Sequence, residues 1–390
     1  MATTPARREP HPEGAPARLE AFLESRSLGA ALLSNPGTIT WLTGYSAPIE
    51  SGPSPFDGGP ALAWVQGGRV TLIVSDAERA AADVFEGHVE EYAGYTLDAP
   101  IDAFRHAGDV LASVIAGARG SGRDAAIELD TLPGSLLRVA EGALGGSRLI
   151  AIDDDLPALR AVKSPAEIAR IRAALELCDI AHGAARSGLR AGITEIDLWN
   201  HVRAAVERAA GGRIPALVDV VAGSRAAEIG GPPTDRPIGR GDAVILDVVL
   251  RRDGYWGDTA ATWFAGEPVA ELRRAYDTAR TALRRAVATV RPGLEVRALD
   301  VLLRSETATF GGSASYPHHS GHGIGTTYHD PPRIVPYDTG RLAPGMVITL
   351  EPGVYIPGIG GVRLEDVVLV TDDGSELLSR HLVEGPEVVG

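Results

Sequence analysis

Acidic residues set inside apolar strands constrain this chain more than any other feature. Asp247 interrupts the run AVILDVVL, and Asp258 lies in the next strand, GYWGDTAATWF, beyond Arg251-Arg252-Asp253-Gly254. That linker is a hairpin signal. An even-numbered loop would turn both carboxylates to one face, opposite or diagonal, whereas an odd-numbered loop would turn one to solvent. Two carboxylates on one face repel. An apolar strand tolerates them only with a cation, a shared proton or an arginine between them.

Three more residues extend the pattern. His322 lies in SGHGIG, where glycines let the backbone approach whatever the imidazole touches. Glu351 ends the strand MVITLE before Pro352-Gly353, and Glu365 sits in the strand VRLEDVV among apolar neighbours. A glutamate alternating with valines and leucines in a buried sheet needs a partner. Asp247, Asp258, His322, Glu351 and Glu365 together offer carboxylates and one imidazole, with no thiolate. Such a set suits a hard divalent ion, Mn²⁺ first, with Co²⁺, Fe²⁺ or Zn²⁺ as alternatives. Four carboxylates exceed what one hydrolytic ion needs. Two ions about 3.5–4 Å apart, with bridging carboxylates, would neutralise them. A hydroxide bridging such ions is a nucleophile near neutral pH, and the ions also hold an oxyanion, so amide hydrolysis is the natural use.

The chain has 390 residues, too many for one ordinary core, so two domains are expected. Its 51 acidic and 37 basic residues leave a net charge of −14. That surface repels phosphate backbones and anionic lipid, which argues against nucleic-acid and membrane partners. The single cysteine, Cys178, excludes an intramolecular disulfide and reads as a packed core thiol. Residues 1–16 carry Arg7-Arg8 with no apolar stretch behind them and read as a disordered lead-in, not a signal. The compartment expected by default is the cytoplasm.

Residues 17–155 read as an α/β domain. RLEAFLESRSLG and DAFRHAGDVLASVIAGA have helical character, and AALLS, ALAWV, VTLIV and DAAIEL read as strands. No ligand-type cluster occurs there, so a structural role is expected. A boundary falls in DDDLPALRAVKSP, and a second domain is expected over 160–390. It opens with Ser164-Pro165-Ala166-Glu167, a capping box with proline at the first helical position. Further helices are expected from Thr194 to Gly211-Gly212 and over about 270–290, followed by strand-rich sequence.

The order D-x10-D, HGIG, EPGVY and GGVRLED resembles the Xaa-Pro peptidase/creatinase family: aminopeptidase P, prolidase and creatinase. RLEAFLESRSLGAALLSNPGTITWLTGY resembles that family's N-terminal domain, and LRAVKSPAEIARIRAALELCD its first catalytic helix. The resemblance implies an α/β (α+β) architecture. A pita-bread catalytic domain would follow a smaller creatinase-type α/β domain. It implies that Asp247 and Asp258 bind one ion, with Asp258 bridging, and that His322 and Glu351 bind the second, with Glu365 the other bridge. Glu351 would also handle the proton of the attacking water. His318 and His329 match histidines that contact substrate or stabilise the tetrahedral intermediate. Arg363 matches an arginine that holds ligand carboxylates in place. A small peptide or amide substrate and a homodimer are implied as well.

The chain departs from the family pattern at three positions. Gly230 stands where the family has a histidine, seventeen residues before Asp247, and no histidine occurs between His201 and His318. Val249 stands where glycine is usual and Ala261 where arginine is common. The resulting expectation is a dinuclear metal-dependent hydrolase acting on an Xaa-Pro or similar small peptide bond. The alternative keeps the metal site but moves the substrate to a non-peptide amide or other C–N bond in specialised metabolism. A non-catalytic binding module on the same fold is the third reading.

Overall fold

Buried runs of β-branched and aliphatic residues, punctuated by glycine and proline, fold in the first part of the chain into a mixed sheet. The computed structural model describes residues 14–47, 59–94, 97–98, 102–117, 122–382 and 388–389. The chain divides into two compact units, Met1–Arg160 and Ala161–Gly390.

In the first unit, α1 (Ala15–Ser25) precedes β1 (Ala30–Leu33), α2 (Pro36–Thr43), β2 (Leu62–Gln66), β3 (Arg69–Ser75) and β4 (His88–Tyr92). Then come α3 (Ala103–Gly117), β5 (Ala125–Ile127), α4 (Gly134–Leu144), β6 (Leu149–Ala151) and α5 (Leu156–Ala161). The strand order is β4-β3-β2-β1-β5-β6. Most of the lead-in expected over 1–16 lies outside the described residues. Its end is corrected: α1 already begins at Ala15, because Pro16 sits in the first turn, where its missing N–H costs nothing.

The second unit opens with α6 (Pro165–Gly188), whose Ser164–Glu167 capping box is fully formed. A second box, Thr194 with Asp197, starts α7 (Glu195–Ala210), and Gly211 ends it in the left-handed conformation. These helices cover one face of the sheet β17-β9-β8-β7, formed by β7 (Ala216–Ala222), β8 (Ala243–Arg252), β9 (Tyr255–Ala265) and β17 (Val388–Val389). Val244, Leu246, Val248 and Leu250 of β8 pack toward the helices, as do Ala261, Trp263 and Ala265 of β9. Strand alternation therefore turns Asp247 and Asp258 to the opposite face.

The hairpin loop has two residues, Asp253 (φ 49°) and Gly254 (φ 83°), the backbone of a type I′ turn. The even loop sets Asp247 opposite Ala260 and Val249 opposite Asp258, so the two aspartates are diagonal neighbours on one face. Ala261, by contrast, faces the helices and belongs to the core.

Helices α8 (Ala270–Thr289) and α9 (Val296–Thr307) pack against the remaining strands. These are β10 (His322–Gly323), β11 (Asp330–Arg333), β12 (Val347–Leu350), β13 (Gly353–Ile356), β14 (Gly360–Arg363), β15 (Asp366–Val370) and β16 (Ser375–Leu377). The sheet order is β11-β10-β12-β15-β16, with β13 and β14 pairing separately. One strand reading is corrected here: VRLEDVV is broken at Leu364-Glu365, whereas the strand before Glu351 stops ahead of Pro352 as expected. Leu350 pairs with Asp366 and Gly353 with Arg363. Both glutamates thus lie where the chain leaves one pairing for the next, and Pro352 has no N–H to continue the ladder. Among the described residues, no helix is long and apolar enough to cross a membrane.

Candidate metal centre

The hairpin supplies two carboxylates, and the strand breaks supply two more. Glu365 N–H donates to the carbonyl of Ala260 at 2.9 Å, which ties the second break to the Asp258 strand. His322 arrives on β10. The flanking glycines are needed for the neighbouring backbone, not for the partner of the imidazole. A Cβ at Gly321 would stand 2.1 Å from Thr349 O, and one at Gly323 would stand 2.1 Å from Pro331 O.

Three overlapping groups of potential ligand atoms result. They are Asp247–Asp258–Glu365, His322–Glu351–Glu365 and Asp258–His322–His329, with the atoms of each group within 4.8 Å of one another. All five acidic and imidazole residues singled out from the strands are brought together. Asp258, His322, Glu351 and Glu365 are buried, Asp247 is half-buried, and His329 is exposed at the rim. They line a cavity of about 310 Å³.

Buried oxygens without donors mark the centre. Asp247 Oδ1 and Asp258 Oδ1 have no hydrogen-bond partner. His322 Nδ1 lies 2.9 Å from the Gly323 carbonyl, which fixes the proton on Nδ1 and aims Nε2 at Asp258 Oδ2, 3.4 Å away. A lone pair facing a carboxylate needs a proton or a cation between them. Burial lifts Asp247 to about 7 and also raises Asp258; Glu365 rises well above the carboxylate range from burial and from Asp258, Glu351 and Asp247. Burial opposes charge on His322, but Asp258 outweighs it and raises the imidazole. Orphaned oxygens, mutually repelling carboxylates and a correctly oriented imidazole fit divalent cations.

The surrounding residues are organised as a relay. Arg363 donates to Asp247 Oδ2 through Nη2 and to the Tyr355 hydroxyl through Nη1 at 2.9 Å. The Tyr355 hydroxyl is 2.8 Å from His318 Nε2, and His318 Nδ1 is 2.7 Å from the His319 carbonyl. The carbonyl can only accept, so Nδ1 carries the proton and Nε2 accepts from Tyr355. Burial holds His318 at about 4; partial desolvation at the rim, with His322, Arg333 and His319 nearby, holds His329 at about 3. Burial also works to raise Glu351, but His319, His318 and His322 outweigh it and hold the carboxyl at about 2.

The sequence reading gave no role to Asp219 and His319, which line the cavity, or to Tyr355, which stands behind His318. His319 Nδ1 stands 3.0 Å from Glu351 Oε1. Tyr355 alternates out of EPGVY, a motif already singled out. Asp219 interrupts ALVDVVA as Asp247 interrupts its own strand, a signal that could have found it. It lies directly opposite Asp247 in the β7–β8 ladder.

A buried carboxylate–imidazole centre on this two-unit α/β scaffold defines a metal-dependent hydrolase. Residues 169–372 match metallopeptidase family M24, and residues 17–162 match the creatinase/prolidase N-terminal domain. The chain belongs to family M24. It is 31% identical to an Xaa-Pro dipeptidase of Pyrococcus horikoshii, over 92% of this chain and 95% of the relative. The crystal structure of the prolidase from P. horikoshii superposes with a TM-score of 0.79 at 27% identity, covering 95% of this chain and 99% of that one. An Xaa-Pro dipeptidase from Bacillus anthracis gives 0.80 at 26% identity, covering 96% and 98%. The protein is a metal-dependent peptidase with the pita-bread fold and a creatinase-type N-terminal domain.

Proposed function

We propose that the protein hydrolyses Xaa-Pro dipeptides or short Xaa-Pro peptides with two divalent ions, Mn²⁺ foremost. Asp247 and Asp258 would hold one ion and His322 with Glu351 the other, with Asp258 and Glu365 shared. Bound there, the ions would supply an acidified water as nucleophile and polarise the scissile carbonyl. The observation that carries this reading is the aim of His322 Nε2 at Asp258, with Nδ1 committed to a backbone carbonyl.

The chain's own groups account for the remaining steps. Glu351 is ionised at neutral pH and can accept the proton of the attacking water and pass it to the leaving nitrogen. His329 is uncharged at neutral pH and stands at the cavity wall to hydrogen-bond substrate oxygen. His318, also uncharged, has both ring nitrogens engaged by the His319 carbonyl and the Tyr355 hydroxyl and shapes the wall. Arg363 orients Asp247, and Tyr355 orients His318. A cavity of about 310 Å³ is of the size that takes a small ligand such as a dipeptide.

The test is an assay of the purified protein, loaded with Mn²⁺, on Xaa-Pro dipeptides, longer Xaa-Pro peptides and proline-free controls. Turnover confined to Xaa-Pro bonds supports the proposal. Metal-loaded protein that cleaves none of them ends it.

A further inference from the structure

We propose that Asp219 is a specificity residue of this pocket, pairing with a cationic group on the residue N-terminal to the scissile bond. The proposal rests on the Xaa-Pro reading for the direction of the substrate. Cross-strand pairing sets Asp219 beside Asp247 and Leu217 beside Val249, and all four line the cavity. Carboxylates directly opposite one another destabilise a sheet. Asp247 is offset by Arg363, but Asp219 has no such offset. The arginines that flank the turn over 229–231 are committed elsewhere, Arg363 to Asp247 and Arg225 to Glu195. Among the described residues, no lysine, arginine or histidine forms an ion pair with Asp219.

The carboxylate is nevertheless held in a fixed pose. Gly231 N–H donates to Asp219 Oδ2 at 2.8 Å. A Cβ at Gly230 would stand 2.8 Å from that same oxygen, so the absence of a side chain there leaves room for the acid. A positioned carboxylate with one oxygen uncommitted, on the wall of a cavity, accepts a charged donor. In an Xaa-Pro dipeptide the prolyl nitrogen is a tertiary amide without charge. The only cations are the α-ammonium of Xaa and, where Xaa is lysine or arginine, its side chain. Both belong to the residue before the scissile bond, and Leu217 and Val249 would lie along its aliphatic stem.

Asp219→Asn keeps an acceptor for Gly231 and removes the charge. Mn²⁺-loaded wild type and variant are compared by calorimetric titration with two probes. L-alaninamide presents only the α-ammonium, and Nα-acetyl-L-lysinamide presents only the side-chain ammonium. Metal content is checked in both proteins, and Ala-Pro, Lys-Pro and Glu-Pro kinetics are run alongside. The expected result is binding of one probe weakened about tenfold or more in the variant, with a matching rise in KM. Loss of L-alaninamide binding assigns the α-ammonium, with KM raised for every dipeptide. Loss of Nα-acetyl-L-lysinamide binding assigns the side chain, with KM raised for Lys-Pro alone. Probe affinities within twofold of wild type, a wild type that binds neither probe, or a uniform fall in kcat with KM unchanged overturns the proposal. Probe discrimination in a wild type that cleaves no Xaa-Pro bond would discard the substrate reading and leave the cation site standing.

Discussion

The Tyr355 hydroxyl lies 2.8 Å from His318 Nε2 and also accepts from Arg363 Nη1 at 2.9 Å. One oxygen therefore links a cavity-wall imidazole to the guanidinium that grips Asp247. Tyr355→Phe removes both hydrogen bonds and keeps the ring. The expected outcome is a fall in kcat/KM of about 10–100-fold with metal content unchanged, read by steady-state kinetics and elemental analysis. Loss of metal together with activity would place Tyr355 in the support of the ligands instead.

Burial lifts Asp247 from 3.8 to about 7 and raises Asp258 and Glu365 in the metal-free protein. Groups raised above their unfolded values favour the fold at low pH, and that contribution disappears as pH climbs through the folded value. Ions that take those carboxylates must displace the protons. Melting temperatures of metal-loaded and metal-free protein should therefore lie close near pH 5 and separate toward pH 8. Glu351, held at about 2, adds a constant stabilisation across that window and no pH dependence. Parallel melting curves across the range would refute the protonation argument.

His322→Ala removes the imidazole from two of the ligand groups and leaves Asp247–Asp258–Glu365 complete. If the proposed two-ion centre holds, bound metal should fall from two ions toward one per chain, and kcat by on the order of 100-fold. Elemental analysis after gel filtration measures the first, and dipeptide turnover the second. Full retention of two ions would show that His322 is no ligand.

Placing the family's histidine at position 230 pushes a Cβ to within 2.8 Å of Asp219 Oδ2. Gly230→His should force that carboxylate off Gly231 N–H and cost about 1 kcal/mol of stability. Asp219→Ala in the same chain removes the obstacle, so the two changes should be non-additive in a denaturation cycle. Additive effects would mean that the two positions do not interact.

The β8–β9 hairpin was legible as a turn because its signal is local, but its parity was left open: only the pairing of Arg252 with Tyr255 shows a two-residue loop and puts Asp247 and Asp258 on one face. The capping box at Ser164–Glu167 was legible because its signal is local too. Glu351 was recognisable at a strand end and Glu365 as a carboxylate in need of a partner, but Glu365 was not recognisable as a residue at a strand break. Nothing local in VRLEDVV says that Arg363 pairs with β13 while Asp366 pairs with β12. Asp219 was hidden differently. Its strand carries the same interrupted apolar pattern, yet its position opposite Asp247 depends on a ladder closed across the loop from residue 223 to 242. The helix α9 and the edge strands β4 and β6 were missed because their apolar content is short or interspersed with charge.

The exchange of partners at Glu351 and Glu365 separates the two glutamates from the tip of the hairpin beyond them. Pro357-Gly358-Ile359 is exposed, and β13 and β14 run between it and the two glutamates. Extra residues grafted at that tip would leave the spacing of the two carboxylates untouched. A single deletion between Glu351 and Gly353 would throw one of them out of phase. Length variation in this segment is thus tolerable at one end and forbidden at the other, a distinction that follows from the ladder alone.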